Sequence, residues 1–137
     1  MPETSGPPLL VLVVDDSQDC AESLALLVRF WGHEAVVTYD GAAALEAARV
    51  RTPDVVLLDI AMPKMDGYQL AGRLRQVAGL EEALFVAVSG HGNEADVRRC
   101  EEAGIDCHFL KPVDPAELEK ALGKAERLGV TPSHGGA

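Results

Sequence analysis

Five short apolar runs punctuate the chain, and their lack of alternation is what most limits its fold. They read "LLVLVV" (9–14), "AVVTY" (35–39), "VVLL" (55–58), "LFVAV" (84–88) and "CHFL" (107–110). A strand with one wet face alternates apolar and polar residues, whereas a strand covered on both faces is apolar throughout, as in parallel sheets. Between the runs lie segments of helical period. Ala21, Leu24, Ala25, Val28 and Trp31 recur at steps of three and four, as do Leu118, Ala121, Leu122, Ala125 and Leu128, so each set forms one stripe that packs on a sheet. Segments 42–50, 68–77 and 93–103 fill the remaining gaps. Five repeats of strand then helix predict an α/β, doubly wound, five-stranded parallel sheet with right-handed crossovers.

A chain of 137 residues fits one domain with its own core, expected over 8–128. The flanks 1–7 and 129–137 are rich in Pro, Gly, Ser and Thr and are expected to be mobile tails. The net charge of −10, from 22 acidic and 12 basic residues, repels phosphate backbones and argues against direct nucleic-acid binding. Cys20, Cys100 and Cys107 lack the paired spacing of a zinc site and are expected to be reduced, packed thiols. An acid stands where a signal peptide would carry basic residues, and the run 9–14 is too short to span a bilayer. These features predict a cytoplasmic protein without membrane insertion.

In an open parallel sheet, ligands bind outside the carboxyl ends of the strands. There the sequence places Asp15 and Asp16 after the first strand, Asp59 at the end of the third, Ser89-Gly90 at the fourth and Lys111-Pro112 at the fifth. Singly, Asp16 or Ser17 can cap the first helix and Asp66 the third. Together, three carboxylates repel one another unless a cation sits among them. Oxygen-only donors suit a hard divalent ion, Mg²⁺ or Mn²⁺. Beside such an ion a carboxylate can act as a nucleophile toward phosphorus, with Lys111 as a second cation and Ser89 as a hydroxyl donor.

The set "VVDD", "LLDIAMPKMDG", "AVSGHG" and "HFLKPVD", in that order on strand ends, resembles the receiver domain of two-component response regulators over nearly the whole chain. The resemblance implies a flavodoxin-like (βα)5 fold with strand order 2-1-3-4-5 and a cis peptide before Pro112. It further implies Asp59 as phosphoacceptor, Asp15, Asp16 and Asp59 as metal ligands with the backbone carbonyl of Ala61, and Ser89 and Lys111 as phosphoryl binders. The implied donor is a histidine kinase or histidine phosphotransfer protein. The implied output is an unknown protein bound by the face of the fourth helix, fifth strand and fifth helix. Such a chain is not an enzyme in the ordinary sense, since it catalyses only its own phosphorylation and dephosphorylation.

Two positions depart from the family pattern. His108 stands three residues before Lys111, where receivers commonly carry Tyr or Phe as the side chain that moves with the Ser89 hydroxyl; it is a candidate switch or a structural strand histidine. His91 holds a place that in receivers sits at the mouth of the phosphoryl site, and is a candidate modulator of water access or a solvated loop residue. Helical spacing places Trp31 in the core and leaves Phe30 as a candidate docking residue. The fourth helix, whose apolar stripe is only Ala95, Cys100 and Ala103, is expected to be loosely held and the readiest to shift.

The function expected is a phosphorylation-controlled signalling switch. A phosphorelay shuttle or a phosphate sink fits the same residues. A Mg²⁺-dependent phosphatase working through an aspartyl phosphate fits less well, because such enzymes place a second acid where this chain has Ala61. A nucleotide- or flavin-binding module would need a glycine-rich first turn, whereas this one reads "DDSQD". Met1 and the two tails lead us to expect a complete short protein acting through non-covalent partners, although "GIDCHFLKPVDPAELEKAL" is also similar to receivers joined to hybrid histidine kinases.

Overall fold

The computed structural model describes residues 8–60, 66–90 and 94–127, with side chains from 94–97 and 126–127 excepted. The expectations for Ala61, His91 and both tails, and that for the Ala95 side chain, fall outside the described residues. Strands β1 (Leu10–Val14), β2 (Glu34–Thr38), β3 (Val55–Asp59), β4 (Leu84–Ser89) and β5 (Cys107–Leu110) alternate with helices α1 (Gln18–Phe30), α2 (Gly41–Val50), α3 (Gly67–Arg75), α4 (Glu94–Glu102) and α5 (Pro115–Arg127). The sheet is parallel throughout, in the order β2-β1-β3-β4-β5.

The unbroken apolar runs are explained by a core on each side of the sheet. Val11, Val13, Val55, Leu57, Leu84 and Val86 point to a layer closed by α1 and α5, through Ala21, Leu24, Val28, Leu118, Leu122 and Ala125. Their neighbours Leu12, Val14, Val56, Leu58, Phe85 and Ala87 point the other way, to Ala44, Ala48, Leu70, Ala71, Leu74 and Cys100 of α2, α3 and α4. Successive side chains of a strand face opposite sides, so only an apolar residue at every position fills both layers. The edge strands β2 and β5 are less buried, and Leu110 is 53% exposed.

Helix starts are set by polar side chains, as the sequence allows. Ser17, not Asp16, caps α1 by accepting from the Cys20 N–H; Asp40 caps α2 and Asp66 caps α3. Helix α1 stops at Phe30, and Trp31 forms its C-cap while staying in the core at 7% exposure. Phe30 is 67% exposed. Gly67 opens α3 where a Cβ would lie 2.4 Å from the Ile60 Cα, so the chain leaving β3 and the start of α3 approach closely enough to require glycine. None of the three cysteines forms a disulfide; Cys100 is buried and the other two half-buried. No helix among the described residues is long and apolar enough to cross a membrane.

Candidate functional site

Register brings the strand-end residues together. Val14 pairs with Leu58, Asp59 with Val88 and Ser89 with Leu110, so β1, β3, β4 and β5 end at nearly one level. Asp15 and Asp59 are buried there and Asp16 is exposed; one carboxylate oxygen from each lies within 4.8 Å of the others. Lys111 Nζ donates to Asp15 Oδ2 at 3.0 Å and to Asp59 Oδ2 at 3.2 Å. The Lys111 N–H also donates to the Ser89 carbonyl, which ties the start of the β5–α5 loop to the end of β4. The Lys111–Pro112 bond is cis.

The charge balance is lopsided. Burial pushes the Asp15 carboxyl above its ordinary value of 3.8, the nearby Asp59 charge adds to this, and the Ser17 N–H and Lys111 only partly compensate. Burial alone would lower Lys111, but its hydrogen bond to Asp15 and the charges of Asp15 and Asp59 outweigh that and hold the ammonium above 10.5. The lysine answers to two acids, whereas Asp15 does not recover its desolvation from one ammonium. Among the described residues, one ammonium against three carboxylates leaves charge that a divalent cation would neutralise, and an all-oxygen donor set with one exposed member suits a hard ion that keeps waters. The residues present therefore fit Mg²⁺ or Mn²⁺.

Ser89 and His108 meet on the α4 side of the sheet. His108 pairs with Ala87, two residues before Ser89, so both side chains emerge on one face, and Ser89 Oγ lies 3.0 Å from His108 Nε2. Sequence reading named both residues but not this contact. The contact depends on register: Ser89 pairs with Leu110, and His108, two residues before Leu110, lies on the same face of β5.

Two further features escaped sequence reading. A groove of about 450 Å³ beside Lys111 and Pro112 is lined by Leu24, Leu27 and Val88 and by Asp19, Cys20 and Ser23 of α1. Cys20, Ser23 and Leu27 lie off the buried stripe of α1, which was the available hint. Arg99 of α4 stacks over the Tyr68 ring at 4.0 Å and pairs with Asp66 at 3.4 Å, an exposed contact between α3 and α4 that sequence spacing does not show.

The geometry has counterparts among known proteins. The model of the response regulator receiver domain matches residues 11–123. An uncharacterised 14.6 kDa protein of Leptolyngbya boryana is 32% identical over 79% of this chain and 82% of its own length. The DNA-binding response regulator MtrA of Mycobacterium tuberculosis is 37% identical over 79% of this chain but 46% of its own, so the chain spans about half of that relative. Among solved structures, a CheY-like receiver domain from Methylobacillus flagellatus is 33% identical with a TM-score of 0.75, over 87% of this chain and 99% of that one. The chemotaxis protein CheY4 of Vibrio cholerae shares the fold, with a TM-score of 0.82 at 24% identity over 87% of this chain and 99% of its own. By sequence and by fold, the chain belongs to the response regulator receiver domain family.

Proposed function

We propose that the protein is a phosphorylation-controlled switch in which Asp59 accepts a phosphoryl group from a phosphohistidine donor. The observation that carries this reading is the placement of Asp59: 6% exposed at the tip of a two-sided buried strand, beside two more acids and hydrogen-bonded by Lys111. An Asp59 carboxylate oxygen attacks phosphorus, the P–N bond of the donor breaks, and the imidazole nitrogen leaves with the electron pair and takes up a proton. A rigid strand tip fixes the attacking oxygen, so little orientation remains to be found in the encounter. Lys111 moves from bridging two acids to neutralising a phosphoryl oxygen, and Ser89 donates its hydroxyl to another.

Asp15, Asp16 and Asp59, with the Ala61 carbonyl that the family pattern adds, would hold Mg²⁺ or Mn²⁺, which supplies charge neutralisation for the transferring group. The groove between α1 and residues 111–113 offers the donor, a histidine kinase or a histidine phosphotransfer protein, an apolar seat next to Lys111. Output passes to a partner on the α4-β5-α5 face, where Leu110 is exposed. The chain promotes only its own phosphorylation and dephosphorylation. On incubation with acetyl phosphate and Mg²⁺, intact mass should show one added phosphoryl group in the wild type and none in Asp59→Asn. Absence from the wild type, or persistence in the variant, overturns the reading.

A further inference from the structure

The Ser89–His108 contact carries more than proximity, because it has to share protons. A hydroxyl has one proton and accepts through its lone pairs; a neutral imidazole has one N–H and one bare nitrogen. At 3.0 Å between Ser89 Oγ and His108 Nε2, one proton lies between the two atoms, and either side can supply it. On the reading that Ser89 donates to a phosphoryl oxygen on Asp59, its only proton is committed there. The proton in the contact must then come from the imidazole.

We propose that His108 is a positioning residue for Ser89: in the phosphorylated protein, His108 Nε2–H donates to Ser89 Oγ and holds the hydroxyl proton toward the phosphoryl oxygen. Phosphorylation thereby fixes which nitrogen of the ring is protonated. In a neutral ring the other nitrogen, Nδ1, is left as an acceptor. The chain of hydrogen bonds runs from the phosphoryl oxygen through the end of β4 to half-buried β5, the strand whose next residues reach the exposed Leu110. A phenyl ring at position 108 fills the volume but donates nothing, so the identity of the residue, and not only its bulk, sets how firmly Ser89 is aimed. The two residues are tethered to each other rather than free to move past one another.

This inference rests on the proposed phosphoryl site, and its test separates the two. ¹⁵N spectra of the imidazole, recorded with Mg²⁺ and beryllium fluoride as a stable phosphoryl mimic, should show His108 Nε2 as protonated and pyrrole-like; a bare, pyridine-like Nε2 overturns the proposal. His108→Phe should shorten the lifetime of the acetyl phosphate-labelled form or slow labelling by about 5–10-fold, the worth of one hydrogen bond. His108→Gln, whose amide N–H can replace Nε2–H, should stay within about 3-fold of the wild type. Thermal melts of both variants exclude misfolding as the cause. If both match the wild type, His108 does not position Ser89. If the wild type itself takes up no phosphoryl group, the site reading fails and this inference with it, whereas labelling at Asp59 with a bare Nε2 defeats the inference alone.

Discussion

The two ends of the sheet are built from similar residues used in opposite ways. At the amino ends, polar side chains accept from the backbone. Leu9 N–H donates to His33 Nδ1 at 3.0 Å, Leu10 N–H to Asp54 Oδ2 at 2.9 Å, and Phe85 N–H to Asp106 Oδ2 at 2.9 Å. Arg75 donates to the carbonyls of Leu80, Glu81, Ala83 and Gly104, pairs with Asp106 and stacks over Phe85, closing the loops before β4 and β5 with one side chain. At the carboxyl ends, Asp15 and Asp59 face each other and a shared lysine. The first arrangement lowers the energy of the fold; the second leaves an acid whose burial is not compensated. A chain keeps such a cost where a ligand or a reaction offsets it.

The contrast can be broken most forcefully at the amino ends. Asp54→Ala leaves the buried Leu10 N–H without its acceptor and should lower stability by about 3 kcal/mol, roughly 10 °C in melting temperature. Urea titration followed by circular dichroism measures this, and a change below about 1 kcal/mol would deny Asp54 its structural role. Arg75→Leu removes the guanidinium from over Phe85 and takes a donor from several carbonyls and from Asp106. Because part of that site reaches water, the expected loss is smaller, about 2 kcal/mol.

At the carboxyl ends the sign should reverse. Folding raises the Asp15 pKa above 3.8, so the folded state prefers the protonated acid, and ionising it at neutral pH costs stability. In metal-free buffer Asp15→Asn should therefore stabilise the protein at pH 7, by about 1 kcal/mol, while removing a candidate metal ligand. That gain should shrink as pH falls through the raised Asp15 titration, where the wild type is also neutral. Lys111 behaves oppositely: its raised pKa contributes stability that is complete below 10.5 and lost as pH rises through the folded value. Asp15→Asn removes the Asp15 charge and weakens the hydrogen bond that chiefly raise it, so the alkaline limb of the stability curve should move to lower pH. Melting curves across pH read both effects, and a destabilised Asp15→Asn at neutral pH would contradict the assignment of Asp15 as a functional burden.

The carboxyl ends were legible in the sequence, and the amino ends were not. Asp15, Asp16, Asp59, Ser89 and Lys111 stand where apolar runs stop, and the fold rule for open sheets converts those positions into one place. The strand order was implied only by the family likeness, and the sheet bears it out. Asp54, His33 and Arg75 carry no such mark. They serve backbone groups 44, 24 and up to 29 residues away, pairings that exist only once the sheet is assembled. Trp31 and Phe30 were separable by helical spacing, and the structure buries the first and exposes the second. The Ser89–His108 bond lay between these cases: both residues were legible, but their contact depended on the register of β4 against β5.

If Asp59 is the phosphoacceptor that the carboxyl-end cluster serves, chemical trapping will mark that residue. An acyl phosphate is reduced by borohydride to an alcohol, so an aspartyl phosphate becomes homoserine in the peptide where it formed. After incubation with acetyl phosphate and Mg²⁺, peptide sequencing by mass spectrometry should find homoserine at position 59. Homoserine at Asp15, Asp16 or another acid, or at none, would contradict the account.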